Sequence, residues 1–417
     1  MLLIPSIKKK TKESLIESVS DPADFYLPLE GYRSDMEPIV VSGERVLKYQ
    51  CIAQSTGVFS TRLHAPASGL IKEIVTINGK QHIHLQNDFK EDEITPASVN
   101  IENLTPERFA EILAQAGIEG AGGSRFPTQM KYSVKKGDIK TLIFNGVECE
   151  PYLSADAVLM KEKTFELLKT AETIRTILKA ERVVFVLEAQ NKDISKIVKN
   201  AATQQGYEID ICIVPDTYPQ GGELQVIKSV TGLELKKGEI PSRHGILVNN
   251  VGTLWAIHQA LFEGKPHIER ILTVSGNKAE KQGNYLAKIG TPVSHFLTEN
   301  QKNQSHNDNL IVLGGAMMGK AIDARSGAVN KGSGGILTLK RRTDNSYNCI
   351  KCGDCVTVCP QRLMPLEFVR YASNNDTDGL KQFNLQSCIE CGACAYVCPS
   401  NVPLMESIFK GKELLVS

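Results

Sequence analysis

Two stretches near the C-terminus decide the fold of that region: Cys349-x-x-Cys352-x-x-Cys355-x-x-x-Cys359-Pro360 and Cys388-x-x-Cys391-x-x-Cys394-x-x-x-Cys398-Pro399. This doubled spacing is typical of bacterial domains with two [4Fe–4S] clusters, in which three thiolates of each run hold one cluster and the fourth holds the other. We therefore predict one cluster on Cys349, Cys352, Cys355 and Cys398, and a second on Cys388, Cys391, Cys394 and Cys359. Paired C-x-x-C units also bind zinc, but a zinc site of four ligands does not explain two sets of four in this spacing.

The length and composition are those of a globular chain with several domains. At 417 residues the chain exceeds the ~250–300 residues at which single cores stop growing, so we expect two to four domains. The net charge of +1 gives no electrostatic reason to expect nucleic acid, and the basic run Lys8-Lys9-Lys10 with Lys12 is interpreted as a solvated N-terminal arm. No apolar stretch reaches the ~18–20 residues that cross a bilayer, which predicts a soluble or peripheral protein. The crowding of eight of the eleven cysteines indicates metal binding in a reducing compartment.

Upstream of the cysteines the chain divides into units of different secondary structure. From Val40 to Ile77 short β-branched runs alternate with glycines, which predicts a small all-β unit. The segment His64–Gly69 resembles the hairpin of biotinyl- and lipoyl-type barrels but lacks their carrier lysine, so we expect a structural or docking role. Beyond Asn103, helices alternate with strands, which predicts a mostly parallel sheet with ligands beyond the strand ends. The region Ile268–Phe296 resembles a small β-grasp module. The predicted strands of the parallel sheet are Thr141–Phe144, Arg182–Leu187 and Ile209–Val214, and the helices are Pro106–Ala116, Phe165–Leu178 and Asp193–Gln204.

Glycine-rich loops are the candidate ligand-binding segments of the central region. The loop Gly117–Thr128 offers clustered backbone N–H groups suited to a phosphate, but matches neither G-x-G-x-x-G in strand–loop–helix context nor a P-loop. The segment Asn145–Pro151 follows a predicted strand, and its carboxylates Glu148 and Glu150 would face one side of an extended chain; taken alone, it is more often a solvated turn. The loops Gly314–Gly319 and Gly332–Gly335 serve either packing between domains or a ligand.

Several of these segments together resemble one protein family. The resemblance is to RnfC, a component of the Rnf ion-translocating electron-transport complex, and it is collinear from about Val40 to the C-terminus. The central part is also similar to the flavin- and NADH-binding subunit of respiratory complex I. The segments that carry the resemblance are Gly117–Thr128 with Lys131, Asn145–Pro151, Tyr218–Glu223, Asn249–Thr253, Gly314–Gly319 and the cysteine repeat.

The resemblance implies a flavin site in the central domain. FMN would bind noncovalently, accept hydride from NADH and pass single electrons to the clusters. On the flavin phosphate side the implied residues are Gly120, Gly122, Gly123 and Lys131. Along the ribityl chain and ring they are Asn145, Glu148, Asn249, Asn250 and Thr253. Glu150 and Glu223 would lie on the nicotinamide side with catalytic roles.

The resemblance also implies an architecture and a cellular setting. The expected fold class is multidomain α/β, with a lipoyl-like β barrel-sandwich domain, a Rossmann-like α/β flavin domain, a β-grasp (SLBB-like) module and a ferredoxin-like two-cluster domain. The expected boundaries are 1–100, 104–264, 265–342 and 343–417. The implied partners are the membrane subunits of an Rnf-type complex, NADH and a ferredoxin-linked electron pool, with the protein peripheral on the cytoplasmic face of the cell membrane.

Two departures from the family pattern keep other functions open. Where the family loop runs Gly-Gly-Ala-Gly-Phe-Pro-Thr, this chain has Arg125 in place of the last glycine, and its side chain either crowds the flavin or pairs with a phosphate. The usual Gly-Gly-Ile-His-Pro is replaced by Leu3-Ile4-Pro5-Ser6. The alternatives are a soluble flavin and iron–sulfur reductase serving a corrinoid or amino-acid reductase, and a flavin-free electron carrier.

Overall fold

The computed structural model describes residues 1–96, 98–303, 309–324, 326–341 and 345–416. Within these ranges the strands form four sheets, of six, four, four and three strands. In the same ranges no helix is both long enough and apolar enough to pass through a membrane. The expected boundary between residues 342 and 343 lies outside the described residues.

The N-terminal part is an arm followed by an antiparallel β unit. Its elements are α1 (Lys9–Glu13), β1 (Ile16–Ser18), β2 (Asp24–Pro28), β3 (Glu37–Pro38), β4 (Arg45–Val46), β5 (Cys51–Gln54), β6 (Arg62–His64), β7 (Gly69–Ile77) and β8 (Lys80–Asn87). One sheet has the order β2-β8-β7-β4 and the other β3-β5-β6. Leu27, Ile52 and Leu85, which come from both sheets, are completely buried in one core. This core continues to Leu272 and Ile336, so the β unit packs against a later part of the chain.

The central part is a parallel sheet with helices. Its elements are α2 (Pro106–Gln115), α3 (Thr128–Tyr132), β9 (Thr141–Asn145), α4 (Ala155–Glu162), α5 (Thr164–Leu178), β10 (Arg182–Glu188), α6 (Lys192–Gln205), β11 (Asp210–Val214), α7 (Glu223–Thr231), β12 (Ile246–Asn250) and α8 (Val251–Phe262). The strand order is β11-β10-β9-β12, and every pairing is parallel. Helix α2 begins where the side chain of Thr105 accepts a hydrogen bond from the Arg108 amide, with Pro106 at the first helical position. The predicted parallel sheet is confirmed, because every strand pairing in it is parallel. The three predicted strands agree with β9, β10 and β11 to within one residue at each end.

A mixed six-stranded sheet follows. Its later elements are β13 (Glu269–Ser275), β14 (Gly283–Lys288), α9 (Glu299–Asn303), β15 (Asn309–Leu313), β16 (Lys320–Ile322) and β17 (Gly335–Lys340). The order β1-β14-β13-β17-β15-β16 includes β1 from the N-terminal arm, and Ile16 lies opposite Asn284 in a parallel pairing. The unit expected at 265–342 therefore takes an edge strand from outside its own range.

The C-terminal part is helical wherever the structure describes regular elements between residues 345 and 416. Its helices are α10 (Asp354–Thr357), α11 (Pro365–Ser373), α12 (Thr377–Gln382), α13 (Ala393–Tyr396) and α14 (Leu404–Val416). Phe368, Leu380 and Leu385 are completely buried in its core. The short helices α10 and α13 each begin inside one cysteine run, directly after Gly353 and Gly392.

Candidate functional site

The eight clustered cysteines fall into two groups of neighbours. Burial raises the pKa of the Cys355 thiol, and the thiols of Cys352, Cys398 and Cys349 raise it further. Burial also raises the pKa of Cys391 to about 11 and that of Cys394 to about 12, and the thiols of Cys388 and Cys359 add to both shifts. In each group the fourth thiol comes from the other cysteine run, which is the arrangement that two clusters with crossed ligands require.

Both cysteine runs use the same backbone geometry. Gly353 and Gly392 have φ angles of +83° and +75°, a left-handed conformation that glycine adopts without a steric penalty. Backbone amides two residues after the first cysteine of each run donate to its sulfur, from Lys351 to Cys349 at 3.3 Å and from Glu390 to Cys388 at 3.4 Å. The fourth cysteine of each run also accepts from an amide four residues later, at 3.4 Å in both cases. Such N–H···S bonds stabilise thiolate ligands and tune the potential of a bound cluster.

The second group lines a small, partly open pocket. Cys359, Cys388, Cys391 and Cys394 all line it, and apolar side chains such as Phe368 and Ile408 complete its wall. Among the residues that the structure describes, no three His, Cys, Asp or Glu side chains converge closely enough to hold a single metal ion. Four thiols spread around a shared space suit a cluster with several iron atoms better than one zinc ion.

The two groups differ in exposure. Cys391 and Cys394 are buried, whereas Cys349 and Cys352 of the first group are exposed. The buried group lies next to the central sheet: the Tyr218 hydroxyl donates to the main-chain oxygen of Cys391 at 2.6 Å, and a Cβ added at Gly392 would lie 2.9 Å from the main-chain oxygen of Met317. The first group therefore has the open surface, and the second has the contact with the central domain.

The glycine loop of the central domain lies next to the start of α8. The Ala121 amide donates to Thr253 Oγ1 at 2.9 Å, which fixes the loop against this helix. A Cβ added at Gly123 would meet no atom within 4 Å, and one added at Gly122 would meet only the Asn250 side chain. The buried hydroxyl of Thr128 has no hydrogen-bond partner among the described residues. Open space beside glycines and an unpaired buried hydroxyl fit a phosphate-bearing ligand such as FMN.

Three predicted asparagines meet at the carboxyl ends of β9 and β12. Asn250 lies opposite Asn145 in the pairing of these strands, with Asn249 one residue before it. Asn250 Oδ1 caps α8 by accepting from the Gly252 amide at 2.8 Å, and Asn145 Nδ2 donates to the Gly221 carbonyl at 2.9 Å. Asn249 Nδ2 donates to the hydroxyl of Tyr132. The fold thus brings Asn145, Asn249, Asn250, Thr253 and the glycine loop to one edge of the sheet, where ligands of such sheets bind.

Lys131, predicted at the flavin phosphate, and Glu223, predicted on the nicotinamide side, form an ion pair. Lys131 Nζ lies 2.6 Å from Glu223 Oε1 and also donates to the Val248 carbonyl at 2.8 Å. Both side chains are partly exposed, at 28% for Lys131 and 42% for Glu223. The pair is therefore accessible at the same edge of the sheet.

Glu148 and Glu150 have different partners. Glu148 is buried, and its Oε2 accepts from the Ala157 amide of α4 at 2.9 Å. The two oxygens of Glu150 accept from the Met317 and Met318 amides, each at 2.9 Å. A Cβ at Gly315 would lie only 2.0 Å from the Glu150 carboxyl carbon, so this glycine permits the close approach. The loop Gly314–Gly319 thus binds a side chain of the central domain.

The Arg125 side chain pairs with a carboxylate of its own loop and reaches the N-terminal β unit. Its Nε lies 2.8 Å from Glu119 Oε2, and its Nη2 donates to the main-chain oxygen of Glu30. Glu119 is completely buried and also accepts from Thr61 and Lys331, both at 3.1 Å. Burial alone would raise the pKa of Glu119, but Lys331 and Arg125 hold it below its ordinary value. The guanidinium of Arg125 therefore neutralises a buried carboxylate.

The interpretation of Lys8 as part of a solvated arm was wrong. Lys8 is only 3% exposed, and its Nζ lies 3.6 Å from Glu188 Oε2. Neither Lys8 nor Glu188 belongs to a recognisable motif, and a lysine among lysines gives no sign of burial. Tyr218, which contacts the buried cysteine group, did fall within a segment that carried the family resemblance.

Three family models match the chain and define its class. The RnfC barrel sandwich hybrid domain matches residues 2–88, the Nuo51 FMN-binding domain matches residues 113–259, and the 4Fe-4S dicluster domain matches residues 348–402. The three matches follow one another along the chain as barrel sandwich, FMN-binding domain and dicluster domain. This domain order defines the class as iron–sulfur flavoproteins of electron transport. The corresponding parts of the expected fold class are confirmed, whereas the Rossmann-like, β-grasp and ferredoxin-like labels stay predictions.

Curated relatives then define the family, which is RnfC, the C component of the ion-translocating oxidoreductase complex. The relative of this name from Rhodobacter capsulatus is 36% identical over 421 residues, which cover 97% of this chain and 81% of that protein. The proteins of the same name from Haemophilus influenzae and Vibrio cholerae are 34% and 36% identical, over 96% and 91% of this chain. The chain belongs to the RnfC family, as the sequence resemblance predicted. It spans 63% of the length of the Haemophilus relative and 50% of the Vibrio relative.

One solved structure, an NAD+-reducing [NiFe]-hydrogenase in the air-oxidized state, has a TM-score of 0.49 at 15% identity. The match covers 75% of this chain and 61% of that one. A likeness of this size carries no argument about the fold or the function.

Proposed function

We propose that the chain is the NADH-oxidising electron-transfer subunit of a membrane-associated, Rnf-type ion-translocating complex. When bound, FMN converts the two-electron hydride of NADH into single electrons, which iron–sulfur clusters can carry. One observation carries the proposal: the buried cysteine group contacts the FMN-binding domain through Tyr218 and Cys391, so donor and acceptor sites adjoin.

The flavin phosphate is assigned to the loop of Gly120, Gly122 and Gly123 and to Lys131. The open space beside Gly123 and the unpaired hydroxyl of Thr128 support this assignment. Lys131 would exchange its pairing with Glu223 for the phosphate, because an ammonium binds a dianion more strongly than one partly exposed carboxylate. Glu223 would then be free to contact the nicotinamide side.

The remaining assignments follow the strand ends. Asn145, Glu148, Asn249, Asn250 and Thr253 would line the ribityl chain and ring, and Glu150 would lie on the nicotinamide side. The bonds from Met317 and Met318 to Glu150 support a positioning function for the loop Gly314–Gly319, because two amides fix both carboxylate oxygens.

The clusters are assigned to the two cysteine groups. Cys388, Cys391, Cys394 and Cys359 would hold the cluster next to the central domain, and Cys349, Cys352, Cys355 and Cys398 the one with exposed ligands. We propose the domain ranges 1–100, 104–264, 265–342 and 343–417, with β1 contributed to the sheet of the third unit. We further propose that the chain is peripheral on the cytoplasmic face of the cell membrane. Its proposed partners are the membrane subunits of the complex and a ferredoxin-linked electron pool.

Anaerobic purification tests the cofactor assignments. Iron, sulfide and acid-released flavin are assayed, and NADH is then added while absorbance is followed at the flavin and cluster bands. Two clusters, one FMN and bleaching by NADH are expected. Iron without flavin, even after FMN is added, together with no bleaching by NADH would overturn the enzymatic assignment.

The contacts of Arg125 count against a flavin-free carrier, because the side chain is held by the Glu119 carboxylate and the Glu30 main chain. A soluble reductase of the same superfamily is distinguished by affinity purification from native membranes. Co-purification with integral membrane subunits supports the Rnf-type assignment, and recovery with soluble reductase partners alone would contradict it.

A further inference from the structure

The N-terminal arm crosses the edge of the central sheet at which the strands end. Leu2 and Tyr218 exchange two main-chain hydrogen bonds, at 2.9 and 2.7 Å. The Ile7 amide donates to the Pro151 carbonyl at 2.8 Å, and the Thr11 carbonyl accepts from Asn284 Nδ2 at 2.7 Å. The arm is therefore fixed at three points, two of them within the segments that carry the proposed flavin and nicotinamide residues.

Lys8 enters the protein between these fixed points. Its Nζ donates to the main-chain oxygen of Glu148 and lies 3.6 Å from Glu188 Oε2, and the Lys8 and Glu188 side chains are 3% and 2% exposed. Burying an ammonium costs several kcal/mol per ion unless it is paired and hydrogen-bonded. Lys8 meets both conditions through residues at the ends of β9 and β10, so its place depends on the conformation of the segment after β9.

Acidic groups outnumber basic groups around Lys8. The carboxylates are Glu148 and Glu150 after β9, Asp156 on α4, Glu188 on β10, Asp193 on α6 and Asp216 after β11. The Cys149 thiol is also close, and the other cations are Lys12 on α1 and Arg270 on β13. Burial raises the pKa of Glu188 and of Asp156 to about 7, and Lys8 opposes both shifts. Burial also raises the pKa of Glu148 and of Glu150, again against Lys8. Lys8 thus acts on all four of these carboxylates.

We propose that Lys8 is a positioning residue of the flavin site: from the N-terminal arm it holds the Glu148 main chain and balances the charge of the carboxylates in and behind the segment Asn145–Pro151. The role near a flavin depends on the proposed function, but the contacts do not. Without Lys8 the carboxylates keep their protons to higher pH, and the segment that presents Asn145, Glu148 and Glu150 loses its anchor.

The first test needs no flavin. Unfolding by guanidinium is measured from pH 5.5 to 9 for Lys8→Met, Lys8→Arg and Lys9→Met, where Lys9 is an exposed neighbour with the same charge. A carboxylate whose folded pKa is raised contributes stability below its unfolded pKa, and this contribution is lost as pH rises through the folded value. Because Lys8→Met raises the folded pKa of Glu188 further, its deficit against the wild type should be smallest near pH 5.5 and grow above pH 7. Lys8→Arg and Lys9→Met should follow the wild type.

A charge-neutral double variant separates charge from packing. In Lys8→Met with Glu188→Gln, the uncompensated carboxylate is gone, so the growth of the deficit with pH should largely disappear. A deficit of Lys8→Met that is the same at every pH, or one that Glu188→Gln does not reduce, would overturn the electrostatic part of the proposal. If Lys8→Met does not fold, folding of the double variant would support the proposal, because only the uncompensated carboxylate has been removed; failure of the double variant to fold as well would overturn its electrostatic part.

The second test measures the effect of Lys8 on the chemistry of the flavin site. Reduction of FMN by NADH is followed in stopped flow across the same pH range, and the pH midpoint of the rate should move upward by about 1 unit in Lys8→Met, equivalent to a tenfold change in proton affinity. Lys8→Arg should restore the wild-type profile. If the wild type binds FMN and is reduced, but Lys8→Met gives an identical profile, the inference fails; if the wild type takes up no FMN, the proposed function fails instead.

Discussion

Arg125 is the residue at which this chain departs most clearly from the family loop, and its backbone conformation is costly. Its φ of +55° lies in the left-handed region, which costs a side chain about 1–2 kcal/mol relative to glycine. The guanidinium offsets that cost because it neutralises Glu119, which has no exposed surface. The contacts reach Glu30 of the β unit as well, so one residue of the glycine loop connects two domains.

Replacing Arg125 should therefore affect stability more than flavin binding. We expect Arg125→Ala to lower the free energy of unfolding by about 3 kcal/mol, since a buried pair loses one partner while Lys331 remains. Guanidinium unfolding monitored by far-UV circular dichroism measures this loss. Glu119→Gln in the same variant should lower the stability further, because the buried Lys331 then loses its carboxylate partner. FMN affinity of Arg125→Ala should stay within about threefold of the wild type, a change below 1 kcal/mol. Loss of FMN at unchanged stability would mean that Arg125 contacts the cofactor.

Lys131 is the residue on which the flavin assignment depends most. We expect Lys131→Ala to weaken FMN binding by about 10- to 100-fold, because a hydrogen bond to a charged group contributes about 1.5–3 kcal/mol. Acid-released flavin and a fluorescence titration with FMN measure the effect, and the iron content should not change. The matched control is Lys136→Ala, which removes an exposed lysine nearby. Equal loss of flavin and iron would show that the two sites are not on separate domains.

At the scale of secondary-structure elements, the two cysteine runs are equivalent in backbone but not in surroundings. In each run a glycine with a left-handed backbone conformation precedes a short helix. Backbone amides donate hydrogen bonds to the sulfurs of the first and fourth cysteines. The exchange of the fourth cysteine means that each proposed cluster depends on both runs. Loss of one cysteine should therefore damage one cluster. The other cluster keeps all four of its ligands, three from one run and one from the other.

Cys355→Ala tests this independence. We expect the loss of about one cluster, measured as iron and sulfide per protein and by electron paramagnetic resonance after reduction, because the thiols that act on Cys355 all belong to the first group. Bleaching of the flavin by NADH should persist. Cys212→Ala, on β11 and away from the repeat, is the control. If NADH no longer bleached the flavin in Cys355→Ala, the proposed order of electron transfer, from NADH to the flavin and then to the clusters, would be wrong.

At the scale of the whole molecule, the contact between the central sheet and the helical C-terminal part determines whether electrons can pass. Tyr218 and Cys391 lie in one apolar cluster with Ala393, and Met317, from the loop between β15 and β16, packs against it. Three parts of the chain therefore meet where the buried cysteine group faces the FMN-binding domain. The exposed group lies on the outer side, at Cys349 and Cys352.

Tyr218→Phe should separate flavin reduction from cluster reduction. The Cys391 carbonyl would lose its buried donor, at a cost of about 1–3 kcal/mol, while the central domain keeps its own contacts. In stopped flow with NADH we expect the flavin band to bleach at the wild-type rate and the cluster band to bleach more slowly. Tyr207→Phe, in the connection between α6 and β11, is the matched control. An unchanged cluster rate would show that this contact does not serve electron transfer.

The sequence predicted those features that depend on residues close together along the chain. The cysteine spacing, the alternation of helices and strands and the candidate ligands from Asn145 to Thr253 could all be derived in this way or from the family resemblance, because periodicity, turn chemistry and motifs are local. The parallel register then brings Asn145 and Asn250 together, as the rule for strand ends predicts.

Contacts between distant residues could be learned only from the tertiary structure. Lys8 looks like any solvated lysine until the fold places it 3.6 Å from Glu188, and Arg125 looks like an obstacle to the flavin until Glu119 and Glu30 are seen beside it. The sequence by itself determined the cluster motif, the parallel sheet and the family. The tertiary structure decided which charges are buried and what pairs with them, because the cost of burial depends on partners that no local pattern contains.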